Sequence, residues 1–256
     1  MKTILDSFLA AFSMYSVIPV PTKKIKADTV KYTLCFFPLV GALTGFFVML
    51  WINIAYCLSC GSIVKGALIC AIPVLVTGGI HFDGFLDTTD ALCSHKPRKE
   101  KLEILKDPHV GAFAVIWGVV YMILCFAMWT DLSLRTELIL CIGFVLSRAL
   151  SALSCVTFLS AKRSGLLYSF AESSDRRMVI ASSLLYTVVC VVMFIIIDWQ
   201  IAVFVCAGAA VAFAVYRVIS YTQFNGITGD IAGFFLCLCE LLMVIFAQFG
   251  ELIWSL

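Results

Sequence analysis

Charged side chains are scarce here, at 13% of 256 residues, with 18 Lys and Arg against 16 Asp and Glu. An ordinary soluble domain carries about 25%, so that class is excluded. The chain has no basic block and no interleaving of basic with aromatic residues, which excludes a nucleic-acid-binding protein. Its one Cys-x-x-Cys, Cys57 and Cys60, lacks the second pair that a zinc site needs. The twelve cysteines lie almost all in apolar stretches, where a thiol behaves as a small hydrophobe. No serine or cysteine has a histidine and an orienting acid nearby, which argues against a covalent intermediate. No repeat long enough for an inverted-repeat transporter is visible, and no low-complexity linker divides the chain. Ser16-Val-Ile-Pro-Val-Pro21 is not a small-residue cleavage site, so the first apolar stretch is expected to be retained.

What is abundant is apolar: 62% of the residues are hydrophobic and mean hydropathy is +1.05. A bilayer core of about 30 Å needs roughly 20 apolar residues per helix. The runs predict about eight spans, at 4–20 (short, with Asp6), 32–58, 63–80, 111–130, 138–160, 178–197, 201–222 and 231–254. The expected fold is therefore an all-α, polytopic integral membrane protein with residues 1–256 in a single domain. Lys23, Lys24, Lys26 and Lys31 fall in the first loop, Lys96, Arg98, Lys99, Lys101 and Lys106 in the third, and Lys162, Arg163, Arg176 and Arg177 in the fifth. The intervening loops hold little beyond Lys65 and Arg135, so the basic side is expected to be cytoplasmic. Loop parity puts 81–110, 161–177 and 223–230 on that side. Pro97 at a helix start, with Leu102 and Leu105 on one face, predicts a short helix along the membrane surface.

Among so few charges, Asp83, Asp87 and Asp90 stand at i, i+4 and i+7. At about 100° per residue a helix presents them within an arc of about 60°. Like charges 4 Å apart at an effective dielectric near 20 cost about 4 kcal/mol per pair, a penalty that protonation, wide spacing in water or a divalent cation relieves. Carboxylates suit Mg²⁺ or Mn²⁺, and Mg²⁺ held by few carboxylates completes its shell with substrate phosphates. The bland alternative is a wet last turn, with Thr88 and Thr89 as turn residues. Gly78, Gly79 and Gly84 bracket the acids and allow a ligand to approach the backbone closely.

Other polar residues keep two readings each. His81 is either a satisfied interfacial residue or a base for an attacking hydroxyl. Asp107, before Pro108, is either a cap or a fourth carboxylate for a second cation. Asn225-Gly-Ile-Thr-Gly229-Asp230 is either turn chemistry or backbone that meets phosphate or ribose. Glu240 lies deep in the last span and needs a partner, for which Arg148 and Arg217 are the intramembrane cations. Either arginine can instead bind phosphate through its planar fork.

Together, Gly78-Gly-Ile-His-Phe-Asp-Gly-Phe-Leu-Asp-Thr-Thr-Asp90, Leu102-Glu-Ile-Leu-Lys-Asp-Pro-His-Val-Gly111 and Ile227-Thr-Gly-Asp-Ile-Ala-Gly233 resemble the cobalamin 5′-phosphate synthase, or adenosylcobinamide-GDP ribazoletransferase, family. The resemblance runs from Ile18-Pro-Val-Pro21 through Phe37-Pro-Leu-Val-Gly41 to Glu240. It implies a Mg²⁺-dependent enzyme of the prokaryotic plasma membrane that transfers the cobinamide phosphoryl group from a GDP-activated corrinoid to α-ribazole or its 5′-phosphate, releasing GMP. His81, Asp83, Asp87, Asp90, Asp107, Asp230 and Glu240 match its acidic motif. The chain departs from the family at His109, where an arginine is usual, at Tyr15-Ser16, where Thr-Arg is common, and at Asn225-Gly226, often a double glycine. Lys106, Arg148 and Lys162 are the cations left to take phosphate.

The resulting expectation is that Asp83, Asp87, Asp90 and Asp107 hold one or two Mg²⁺ ions, with Mn²⁺ as a substitute. His81 or Asp90 would deprotonate the ribazole 3′-hydroxyl, while Lys106, Arg148, Gly229 and Asp230 would contact substrate. A homo-oligomer or a corrinoid-assembly complex is compatible with the resemblance. A CDP-alcohol phosphotransferase is the nearest rival, but its signature has Ala-Arg where this chain has Asp87-Thr88. A cation-coupled transporter is the rival from another class, and needs the acids at mid-depth.

Overall fold

Hydrocarbon offers no hydrogen-bond partners, so a chain this apolar satisfies its backbone within helices. A computed structural model describes residues 2–21, 30–162 and 166–254. Among these residues the regular elements are helical, apart from one isolated parallel bridge between Ser160 and Ile227. In chain order they are α1 (Lys2–Tyr15), α2 (Thr33–Cys57), α3 (Ser62–Thr77), α4 (Ile80–Cys93), α5 (Arg98–Ile104), α6 (Ala112–Trp129), α7 (Leu134–Thr157), α8 (Leu166–Ser173), α9 (Arg176–Ile219) with a π-helical end at Ser220–Phe224, and α10 (Gly229–Trp254). Lys23, Lys24, Lys26 and Arg163, used above for orientation, lie outside the described residues.

Two breaks shape the bundle. At the first, Gly78 and Gly79 both take left-handed backbone, with φ 65° and 79°. Their amides bond to Leu75 O and Val74 O, and Gly79 O then accepts from Asp83 N, so one helix closes as the next opens. The chain turns by 97° between α3 and α4. Beyond the bend α4 runs along α6: Phe82 meets Tyr121 at 5.4 Å between ring centroids and Asp90 meets the start of α6. The second break is Asp198, with φ −161° and ψ 104°. Its carboxylate accepts from Gln200 N at 3.1 Å and Ile201 N at 3.2 Å, an N-cap that starts a new helix. Cys190 Sγ reaches Ile142 O, and the Tyr216 hydroxyl lies 3.1 Å from that of Ser154. On an unbroken helix those two α9 residues would stand about 39 Å apart, whereas their α7 partners are about 18 Å apart. The two halves of α9 therefore fold back as a hairpin whose arms are the expected spans 178–197 and 201–222.

The expected count of about eight spans is not confirmed. Five described helices are long and apolar enough to cross a bilayer, or six if the bent α3–α4 pair counts as one span, and the α9 hairpin adds one crossing to that count. The shortfall is at 4–20, where α1 has 14 residues, about 21 Å of rise. Lys65, read above as a loop residue, is instead buried in α3 and paired with Glu137 of α7 at 2.5 Å. A short helix is present at the expected place as α5, starting after Pro97.

Close approach of α4 and α10 builds the functional end of the bundle. A Cβ at Gly84 would stand 2.7 Å from Asp230 O, and one at Gly233 would stand 3.0 Å from His81 O. Only hydrogen at both positions lets the first turn of α10 lie against α4.

Candidate active site

That contact sets Asp230 beside the acidic face of α4. Asp87 feels the charges of Asp83, Asp230 and Asp90, so a fourth carboxylate does join the trio. It is Asp230, whose Oδ2 accepts from Thr228 Oγ1 at 3.2 Å. Asp107, the fourth carboxylate expected from sequence, turns away: its side chain is 55% exposed and Oδ1 accepts from His109 N at 3.0 Å, with His109 Nδ1 at 2.7 Å. Those hydrogen bonds hold the Asp107 carboxyl below the usual carboxylate range. Both contacts are local to the turn at Pro108. Asp90 packs against Gly111, where any Cβ would collide with both carboxylate oxygens, and it accepts from Ala114 N at 3.4 Å. It thus also serves the N-terminus of α6.

Among the described residues, no three His, Cys, Asp or Glu side chains converge tightly enough to cage one ion. The donors on this face are nevertheless all hard carboxylate oxygens under mutual repulsion. That set fits a cation held by one or two carboxylates and completed by phosphate, the usual Mg²⁺ pattern.

His81 sits at the inner edge of this face. It is buried, its Nε2 has no partner among the described residues, and it lies beside the packed rings of Tyr15 (6.1 Å) and Phe37 (5.7 Å), which are themselves 4.4 Å apart. It lines two cavities. The larger, about 220 Å³, also meets Asp83, Asp230 and Gly229. The smaller, about 40 Å³, meets Arg148, Glu240, Thr77 and Tyr121.

Sequence left Arg148 open between substrate and partner, and the structure pairs it with Glu240. Arg148 Nη1 donates to Glu240 Oε1 and to Ser147 Oγ at 3.0 Å, while Ser147 Oγ reaches the same carboxylate at 3.1 Å. Arg217, the other candidate partner, lies instead over the rings of Phe158 and Tyr221 at 5.2 and 5.5 Å. Lys106, expected at phosphate, pairs with exposed Glu103 at 2.8 Å. Lys162 is the cation whose charge reaches Asp230, and its Nζ donates to Leu102 O at 2.9 Å. Burial, then the charge of Lys106, lowers its pKa from the ordinary lysine value.

The family model described as Cobalamin-5-phosphate synthase matches residues 7–248. The chain belongs to the cobalamin-5-phosphate synthase family. A protein of Lachnoclostridium phytofermentans named adenosylcobinamide-GDP ribazoletransferase is 43% identical over 238 residues, covering 93% of this chain and 91% of the relative. Proteins of the same name from Clostridium botulinum (strain Alaska E43) and Geobacillus sp. (strain WCH70) are 30% and 32% identical. They cover 94% and 92% of this chain and 96% and 92% of their own lengths. No solved structure matches the chain.

In this member of the cobalamin-5-phosphate synthase family, sequence reasoning missed the residues that line the larger cavity from other helices. Tyr15, Phe37, Ser151, Cys155 and Phe170 carry no local motif. Phe37 lies in a stretch that the family resemblance had marked, and Tyr15 at a position noted there only as a departure.

Proposed function

We propose that this protein is an adenosylcobinamide-GDP ribazoletransferase: it joins the cobinamide phosphoryl group of a GDP-activated corrinoid to α-ribazole or its 5′-phosphate and releases GMP. The observation that carries this reading is the meeting of Asp83, Asp230 and His81 around one cavity, with Asp87 and Asp90 further along the same helix, in a chain 43% identical to a relative of that name. Asp83 and Asp87, with Asp90 and Asp230 beside them, are the residues that would hold Mg²⁺ or Mn²⁺. When bound, such an ion neutralises the pyrophosphate and the departing phosphate.

The chain's own groups do the rest. His81 Nε2, which has no other partner among the described residues, is the atom assigned to take the proton from the acceptor hydroxyl. Asp90 is less suited, because its carboxylate is engaged at the start of α6. Lys162 supplies positive charge beside Asp230 for the phosphate side of the donor. The apolar walls around His81 exclude water that would otherwise compete with the acceptor. The lysines and arginines of the loops on this side support a cytoplasmic orientation of this face.

The test uses purified protein in detergent with GDP-cobinamide, α-ribazole and Mg²⁺, followed for GMP. Turnover is expected to stop with a chelator and return with added Mg²⁺. Asp87→Asn should abolish GMP release while leaving the protein folded and membrane-inserted. Ordinary turnover by that variant at saturating substrate refutes the metal role. GMP release failing in the wild type, with CMP released from CDP-diacylglycerol instead, refutes the whole assignment.

A further inference from the structure

The larger cavity is divided in character. Asp83, Asp230 and the backbone of Gly229 are its polar lining; Leu34, Phe37, Cys155, Phe170 and Leu236 are its apolar lining, four of them packed in one cluster, with Tyr15 and Ser151 adding a hydroxyl each. His81 lines the same cavity, about nine-tenths buried, with Nε2 unpartnered among the described residues. A ligand matching that division has an aromatic, sparsely hydrogen-bonding body and a polar group bearing hydroxyl or phosphate. The reaction proposed above offers three bodies for comparison. The corrin macrocycle is several times too large for about 220 Å³. Guanine would bring a carbonyl, ring N–H and exocyclic amine, more polar groups than the hydroxyls of Tyr15 and Ser151 can pair among walls of leucine, phenylalanine and thiol. The base of α-ribazole is a methylated benzimidazole with one free ring nitrogen and no N–H once the sugar is attached, so those walls leave almost nothing unsatisfied.

We propose that this cavity is the acceptor subsite, with the α-ribazole base against Phe37, Phe170 and Leu236 and its ribose toward His81, Asp83 and Asp230. The inference rests on the ribazoletransferase reading and adds to it which substrate occupies which space. Guanine and corrinoid then bind outside the cavity, beyond the exposed carboxylate of Asp83. The arrangement brings the acceptor sugar to the residue assigned as base and leaves the cation face open to the donor. Phe170, on α8, adds to the apolar lining from a helix that carries none of the site carboxylates.

Calorimetric titration of the purified wild type with α-ribazole, and separately with GMP, tests the assignment without requiring turnover. Phe170→Ala is expected to weaken α-ribazole binding at least tenfold and to change GMP binding less than twofold. Cys155→Met fills the cavity instead of emptying it, is expected to weaken α-ribazole in the same way, and replaces Phe170→Ala if that variant fails to fold. Steady-state kinetics should show the same split, with the KM for α-ribazole raised and that for GDP-cobinamide unchanged. Wild-type α-ribazole binding in the folded variants overturns the subsite, as do weakened GMP binding or no α-ribazole binding to the wild type. Because these titrations stand apart from GMP release, loss of the ribazoletransferase reading and loss of the subsite give different results.

Discussion

Replacing Gly84 by alanine tests the geometry on which the site depends. The added Cβ would lie 2.7 Å from Asp230 O, 3.0 Å from its Cα and 3.2 Å from its carbonyl carbon, while ordinary contact begins at 3.4 Å. All three neighbours are backbone atoms, so no rotamer change relieves the clash. The first turn of α10 must retreat by roughly 0.7 Å, and overpacking of this kind costs about 1–3 kcal/mol. Asp230 moves with that turn, away from Asp83 and Asp87. A misplacement approaching 1 Å in a positioned group costs on the order of 10²-fold in rate. The expected result in the GMP-release assay is a fall in kcat of about 10- to 100-fold, with a modest loss of thermal stability in detergent. Gly61→Ala is the control, since nothing lies within 4 Å of a Cβ there and its φ is −60°. A Gly84→Ala protein with wild-type kcat and melting temperature would show that α4 and α10 are not held in this contact, or that Asp230 is irrelevant to turnover.

Three further outcomes follow from the packing. Glu240→Leu leaves the Arg148 charge buried without its carboxylate and should destabilise by about 3–5 kcal/mol, while the double change Arg148→Leu with Glu240→Leu recovers much of that; thermal unfolding in detergent reads both. Lys65→Met strands the fully buried Glu137 in the same way and should lower the melting temperature at neutral pH more than Lys31→Met, whose ion pair with Asp175 is exposed and 3.9 Å long. Asp198→Ala removes the cap at the α9 turn, costs about 1 kcal/mol, and should speed hydrogen exchange at Gln200 and Ile201.

Much of the molecule could be read before any coordinates. Scarce charge and long apolar runs forced a helical membrane protein, because backbone groups in hydrocarbon must pair within their own segment. The i, i+4, i+7 spacing placed Asp83, Asp87 and Asp90 on one helical face, and the short α5 helix was predicted from Pro97 and its leucines. The glycines at 78 and 79 were legible as positions of close backbone approach, but not as the 97° turn between α3 and α4. Each of these follows from interactions within a few residues, where periodicity and backbone preference are decisive.

Tertiary structure decided who meets whom. It chose Asp230 over Asp107 as the neighbour of the trio, through a glycine contact between helices more than 140 positions apart. It gave Glu240 to Arg148, 92 residues away, and sent Arg217 to aromatic rings instead. It also seated His81 beside the packed rings of Tyr15 and Phe37, which no local pattern joins to it. The sequence alone therefore determined the helices and the face that carries the acids, because both depend on near neighbours along the chain. The cavity was decided only by packing, because its walls come from helices whose mutual approach is set by the shape of every side chain between them.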